Sequence, residues 1–186
     1  LAERPDPRPG PGQLLLEMRA ASVNYRDLLT VQGHYNPRQP LPLVPFSDGV
    51  GVVRELGEGV TRVAEGDRVC PIFAQSWLAG EMDREALAST LGGPLDGTLA
   101  RRMVLDQEGV VKVPDHLDDE EAACLPCAAL TAWTALVTKG RLKAGDTVLL
   151  LGTGGVSLFA LQFARLLGAG VVITSSSDEK LARARE

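Results

Sequence analysis

The stretch Thr147–Ser177, TVLLLGTGGVSLFALQFARLLGAGVVITSSS, leaves little choice of fold. Thr147 to Leu151 is an apolar run bounded by Gly145-Asp146 and Gly152, the pattern of a strand buried on both faces. Gly152, Gly154 and Gly155 then form a turn. From Val156 onward Phe159, Ala160, Phe163, Leu166 and Leu167 recur at helical spacing, Gly168-Ala169-Gly170 ends the helix, and Val171-Val172-Ile173 opens a second strand. Strand, glycine turn, helix and strand in this order make a βαβ unit. Such a turn lets the backbone approach a pyrophosphate, whose charge is met by the free N–H groups and dipole at the helix N-terminus. The order of elements therefore predicts a dinucleotide contact at Gly152, Thr153, Gly154, Gly155 and Val156. Ser157 stands at the third fingerprint position, where Gly or Ala is usual, and is taken as a tolerated small residue. A βαβ unit that binds no nucleotide is the alternative.

The end of the second strand bears on which nucleotide. An NAD site places an Asp or Glu about twenty residues past the glycines to bond the ribose hydroxyls, and a 2′-phosphate needs that acid absent. Here the strand runs through Ile173 and Thr174 into Ser175-Ser176-Ser177, and only then Asp178-Glu179-Lys180. The hydroxyls of Ser175 and Ser176 with Lys180 favour NADPH. The same serines also suit a cap on a helix starting at Asp178.

With 186 residues, 45% hydrophobic and 23% charged, the chain can form one substantial core or two small ones. A net charge of −5 without clustered basic residues argues against nucleic acid or a polybasic membrane anchor as partner. No apolar run spans a bilayer and the start is not signal-like, so the expectation is a cytoplasmic protein acting on a small-molecule substrate. Cys70, Cys124 and Cys127 are too few for a disulfide framework. The opening Pro-Asp-Pro-Arg-Pro-Gly-Pro-Gly and the closing Leu181–Glu186 read as a turn and a mid-helix segment, which predicts a piece of a longer enzyme.

Upstream, Gln13–Ser22 reads as a strand, and Val23–Gly33 as a short helix with Asn24 as N-cap and Gly33 as its end. Prolines at 37, 40, 42 and 45 keep the next loop irregular or extended. Ser47–Val60, Gly66–Pro71, Leu99–Val104 and Gly109–Val113 read as short strands, interrupted by a possible surface helix at Glu81–Ala88 and a loop at Leu91–Gly97. This pattern predicts a small β-barrel over residues 1–114, followed by an α/β dinucleotide-binding domain over 115–186 with a helix beginning near the acids Asp118–Glu121.

The motifs VNYRD, SDGVG, LPCAALTAW, LKAGDTVLLLGTGGVS and DEKLARARE, in that order, resemble the medium-chain dehydrogenase/reductase superfamily. They look most like its zinc-independent quinone oxidoreductase branch and the related NAD(P)-dependent alcohol dehydrogenases. The resemblance implies a GroES-like β-barrel followed by the first part of a Rossmann domain, in a parent enzyme that forms homodimers. The positions that hold catalytic zinc in the alcohol dehydrogenases correspond to Asn24, Ser47 followed by Asp48, and Cys127, so that one of the usual ligands remains. The metal expectation is none, with a residual zinc site through Asp48 and Cys127 as the alternative.

The resemblance further implies that Asn24 and Tyr25 polarise the acceptor oxygen or line its pocket. It places Asp27 near the nicotinamide or in a structural role, and sets Thr131 against the cofactor. Cys124 and Cys127 form a CxxC, but the acids preceding them would raise the thiol pKa, and packing is the favoured reading over redox chemistry. His34 is a candidate for the cleft, and His116 for a solvated turn. Other readings are a zinc enzyme with unusual ligands and a non-catalytic NADPH-binding protein.

Overall fold

A computed structural model describes residues 3–186; Leu1 and Ala2 of the first expected domain lie outside the described residues. The chain divides into two compact units, one running to Pro126 and the other Cys127–Glu186.

The first unit is built on antiparallel strands. Strand β1 (Gln13–Ser22) leads into the short helix α1 (Tyr25–Val31) and then β2 (Asp48–Leu56) and β3 (Arg68–Pro71). The helix α2 (Arg84–Ala88), β4 (Arg102–Asp106), β5 (Val110–Lys112) and α3 (Asp119–Ala123) complete it. The five strands form one sheet in the order β4-β1-β2-β3-β5. Its two edge strands are consecutive in the chain, joined by a single 3-10 turn over Gln107–Gly109, so the sheet curls round on itself. Leu14 and Leu16 from β1, Val53 from β2, Val69 from β3, Leu105 from β4 and Val110 from β5 meet in one core inside the curl. Alternate residues of each strand supply it, as period-two patterning requires.

A second cluster of Val50, Cys70, Val113 and Ala122 seats α3 against the sheet. Asp118 caps α3, its carboxylate accepting from the Glu121 N–H at 2.7 Å while the Glu121 carboxylate accepts from the Asp118 N–H at 3.1 Å. Because α3 packs on the sheet, the first compact unit extends to Pro126.

The second unit begins in a helical run whose centre is α4 (Leu130–Trp133), flanked by π-helical turns at Leu125–Ala129 and Thr134–Lys139. Pro126 lacks the N–H of a regular turn, and the wider π turn accommodates it. Strand β6 (Thr147–Leu150), helix α5 (Gly155–Leu166), strand β7 (Gly170–Ile173) and helix α6 (Asp178–Arg185) follow. β6 and β7 are parallel, in register from Thr147↔Gly170 to Leu150↔Ile173, which is the expected βαβ crossover. Ala132, Leu150 and Ala160 form its core, with Phe159 and Phe163 packed against them and the Trp133 ring edge-on to Phe163.

In this two-stranded sheet the faces of β6 differ. Val148 and Leu150 face the helices, whereas Leu149 is 61% and Leu151 75% exposed. Among the described residues only one face of this two-stranded sheet is covered.

Candidate functional site

The first unit gathers a polar cluster around the start of α1. Pairing of β1 with β2 sets Ser22 opposite Asp48, and two residues beyond Ser22 the chain turns into the N-cap Asn24, whose backbone is extended at φ −107° and ψ 155°. The Asn24 amide Nδ2 donates to Asp48 Oδ2 at 3.0 Å, and the Ser47 hydroxyl donates to Asp48 Oδ1 at 3.0 Å. Thr98 Oγ1 donates to the Asp48 carbonyl oxygen at 2.8 Å. Ser47 and Asp48 are fully buried, so these hydrogen bonds supply the satisfaction that a buried carboxylate requires.

Asp27, 1% exposed, belongs to the same cluster. Its Oδ2 accepts from the Asn24 backbone N–H at 2.7 Å, while its buried Oδ1 has no hydrogen-bond partner. Burial pushes the Asp27 carboxyl up from its ordinary range; the Asn24 N–H and the Arg26 charge pull it down, and Asp48 adds to the rise. Arg26 turns the other way. Its Nη1 and Nη2 donate to the carbonyls of Leu91 (3.1 Å) and Gly93 (2.6 Å), and its guanidinium lies 4.7 Å from the Tyr35 ring and 5.0 Å from the Phe73 ring. A cavity of about 190 Å³ opens beside these rings, lined by Thr30, Tyr35, Phe73, Leu87, Thr90 and Pro94 among others. Tyr25 is 75% exposed on α1, and both His34 and His116 are exposed.

The structure places Asn24 and Asp27 in one cluster with Ser47, Asp48 and Thr98, the last three absent from the catalytic set expected from sequence. The available signal was an acid opening a strand just before Gly-Val-Gly. Among the described residues no group of three or more His, Cys, Asp or Glu side chains is placed to hold a metal ion.

The second unit carries the glycine turn between β6 and α5. Gly152 sits at φ +83°, a left-handed conformation that favours glycine, and nothing lies within 4 Å of where its Cβ would be. No side chain caps the N-terminus of α5 at Gly154, so the first N–H groups of a twelve-residue helix remain available to an anion. The turn therefore fits a pyrophosphate. Thr131 is exposed on α4.

The end of β7 carries no acid. The Ser175 hydroxyl lies 3.0 Å from that of Thr153 and accepts from the Ser177 N–H at 3.2 Å. Ser177 caps α6, accepting from the Lys180 N–H at 3.3 Å. Ser176 and Lys180 are exposed. Among the described residues no helix is long and apolar enough to cross a membrane.

Residues 10–115 match the alcohol dehydrogenase GroES-like domain. A zinc-type alcohol dehydrogenase-like protein of Schizosaccharomyces pombe is 47% identical over 95% of this chain and 51% of its own length. The acryloyl-coenzyme A reductase of Metallosphaera sedula is 36% identical over 94% of the chain and 54% of its own length. The solved quinone oxidoreductase of Pseudomonas syringae superposes with a TM-score of 0.73 at 28% identity, covering 99% of this chain and 50% of that one. The chain spans about half the length of the curated relatives it matches.

Proposed function

Since the chain belongs to the medium-chain dehydrogenase/reductase superfamily, through its alcohol dehydrogenase GroES-like domain, we propose that it is the acceptor-binding domain and first cofactor-binding unit of an NADPH-dependent oxidoreductase. The enzyme transfers hydride to a quinone, an activated alkene or a carbonyl without a metal. NADPH, when bound, supplies the hydride.

The observation that carries this reading is the hydrogen bond from Asn24 to Asp48. A carboxamide has two N–H donors. Asp48 takes one and fixes the plane of the amide, which leaves the other to meet an acceptor oxygen as negative charge develops on it. Tyr25 lines the approach, and Asp27 holds the Asn24 backbone from behind. For a quinone, water supplies the protons. Both Asp48 oxygens already accept hydrogen bonds, and an amide with a serine hydroxyl does not make a usual zinc site, so this donor set does not fit a three-ligand catalytic zinc.

In the second unit Gly152, Thr153, Gly154, Gly155 and Val156 would hold the pyrophosphate, and Thr131 the nicotinamide end. The absence of an acid at the end of β7 supports NADPH, with Ser175, Ser176 and Lys180 as the local polar groups. The names of relatives support the acceptor classes: an acryloyl-coenzyme A reductase acts on an activated alkene and a quinone oxidoreductase on a quinone.

The test is a fluorescence titration with NADPH and NADH, followed by NADPH oxidation with a para-quinone before and after chelation. Tighter NADPH binding and chelator-insensitive turnover are expected; equal or tighter NADH binding would reject the 2′-phosphate argument. The zinc-type name of the S. pombe relative favours a second reading, a zinc enzyme with an unusual ligand set. Stoichiometric zinc in the purified protein, with turnover abolished by chelation, would establish it.

A further inference from the structure

We propose that Thr174 and Ser175 are positioning residues that hold the glycine turn in shape for the cofactor, so that Ser175 is not itself a ligand of the 2′-phosphate. This rests on the reading of Gly152–Val156 as the cofactor turn and divides the work of the polar residues beyond β7.

The parallel ladder between β6 and β7 ends at Leu150↔Ile173. One more backbone bond follows, from the Thr174 N–H to the Leu150 carbonyl at 3.0 Å. Side chains then take over. The Thr174 hydroxyl accepts from the Gly152 N–H at 3.3 Å and donates to the Leu150 carbonyl at 3.5 Å, so one side chain joins the last residue of β6 to the left-handed glycine of the turn. One residue on, the Ser175 hydroxyl is paired with Thr153 Oγ1 and also accepts from the Ser177 N–H. Together they tie Gly152 and Thr153 of the turn to the segment leaving β7.

This arrangement opposes the conformational freedom of the turn. No atom lies within 4 Å of where a Cβ would stand on Gly152 or Gly154, so packing does not fix them, and an unfixed glycine turn would have to be ordered by the ligand at an entropic cost. The two hydroxyls provide that order before the cofactor arrives. Ser175 is thereby engaged from two sides, whereas Ser176 and Lys180 extend into solvent just beyond. Asp178 and Glu179, in the first turn of α6, oppose an anion at that helix end, which leaves the exposed Lys180 side chain as the nearby positive charge.

The experiment compares Thr174→Val, Ser175→Ala, Ser176→Ala and Lys180→Gln with the wild-type chain. Dissociation constants for NADPH and NADH are measured together with amide hydrogen exchange in the nucleotide-free protein. Thr174→Val and Ser175→Ala should weaken both nucleotides by the same factor, about three- to tenfold. Exchange should quicken at Gly152 in the first and at Ser177 in the second, with the α5 amides unchanged. Thr174→Ser and Ser175→Thr should restore wild-type values. Ser176→Ala and Lys180→Gln should weaken NADPH alone.

Selective loss of NADPH in Ser175→Ala would make Ser175 a direct phosphate ligand and overturn the proposal. Unchanged exchange at Gly152 in Thr174→Val overturns it whatever the affinities. A wild-type chain that binds neither nucleotide overturns it together with the cofactor reading, and is recognised because the failure appears before any substitution is made.

Discussion

The amide nitrogen of Asn24 lies 3.0 Å from the buried carboxylate of Asp48, linking the N-cap of α1 to the first residue of β2 across 24 positions of sequence. The bond orients a donor, and Ser47 satisfies the other carboxylate oxygen. Asn24 is also held from its backbone by Asp27, so side chain and main chain are fixed by two different acids.

Asp48→Asn keeps the volume but removes the charge that aligns the Asn24 amide. For the proposed quinone reduction, kcat should fall by about ten- to a hundredfold, with the NADPH dissociation constant within about twofold of wild type. Steady-state kinetics and a binding titration on the same preparation check this. Equal losses in both quantities would mean that the substitution has disturbed the fold rather than the amide.

Much of this arrangement was legible because it is local. Asn24 as N-cap and Gly33 as terminator announce a short helix, and Gly152, Gly154 and Gly155 between an apolar run and a helical period announce the βαβ turn. The role of Asp48 was not, since it arises from the β1–β2 register that sets Ser22 against Asp48, a long-range pairing that no spacing rule encodes. The helical region after Asp118 was visible, while its π-helical turns around Pro126 and Thr134 depend on packing that the apolar period does not carry.

Burial pushes the Asp27 carboxyl upward, so the folded protein holds that proton to a higher pH than the unfolded chain does. Between the two pKa values the folded state binds more protons, and stability falls as pH rises, levelling off above the folded value. Asp67 has the opposite sign: its bond to Lys112 lowers its pKa, and the stability it adds is lost as pH falls through that folded value. In Asp27→Asn, the unfolding free energy relative to wild type should shift in favour of the variant as pH rises from about 4 and then reach a plateau. Urea titrations across that range measure it; a shift in favour of wild type would show that the fold lowers the Asp27 pKa instead of raising it.

Gly97 tests the frame behind Asp48. Its N–H donates to the Val44 carbonyl at 2.7 Å, and the next residue, Thr98, bonds both Phe46 and Asp48. A Cβ at Gly97 would fall 1.9 Å from the Phe46 carbonyl oxygen and 2.5 Å from that of Pro45. Gly97→Ala should therefore cost about 3 kcal/mol or more. Gly59→Ala meets no atom within 4 Å and suffers only its left-handed φ of +80°, a cost of ~1 kcal/mol. Chemical denaturation of the pair separates steric clash from backbone strain. Equal losses would show that residues 44–46 move aside freely.

The three cysteines should separate by reactivity. Burial pushes the Cys70 thiol up to about 12, with Asp48 adding to the rise, and its Sγ donates to the Ala122 carbonyl at 3.3 Å. At pH 8 its thiolate fraction is therefore roughly one in ten thousand, and the reagent must also pass Val50 and Val113. Cys124 and Cys127 are half-buried on the helical run. With a chromogenic disulfide reagent, two thiols should react in the native protein, and Cys70 only at the rate of opening, a rate that Cys70→Ser removes from the trace. Rapid native labelling of Cys70 would mean that α3 detaches from the sheet far more readily than its packed cluster implies.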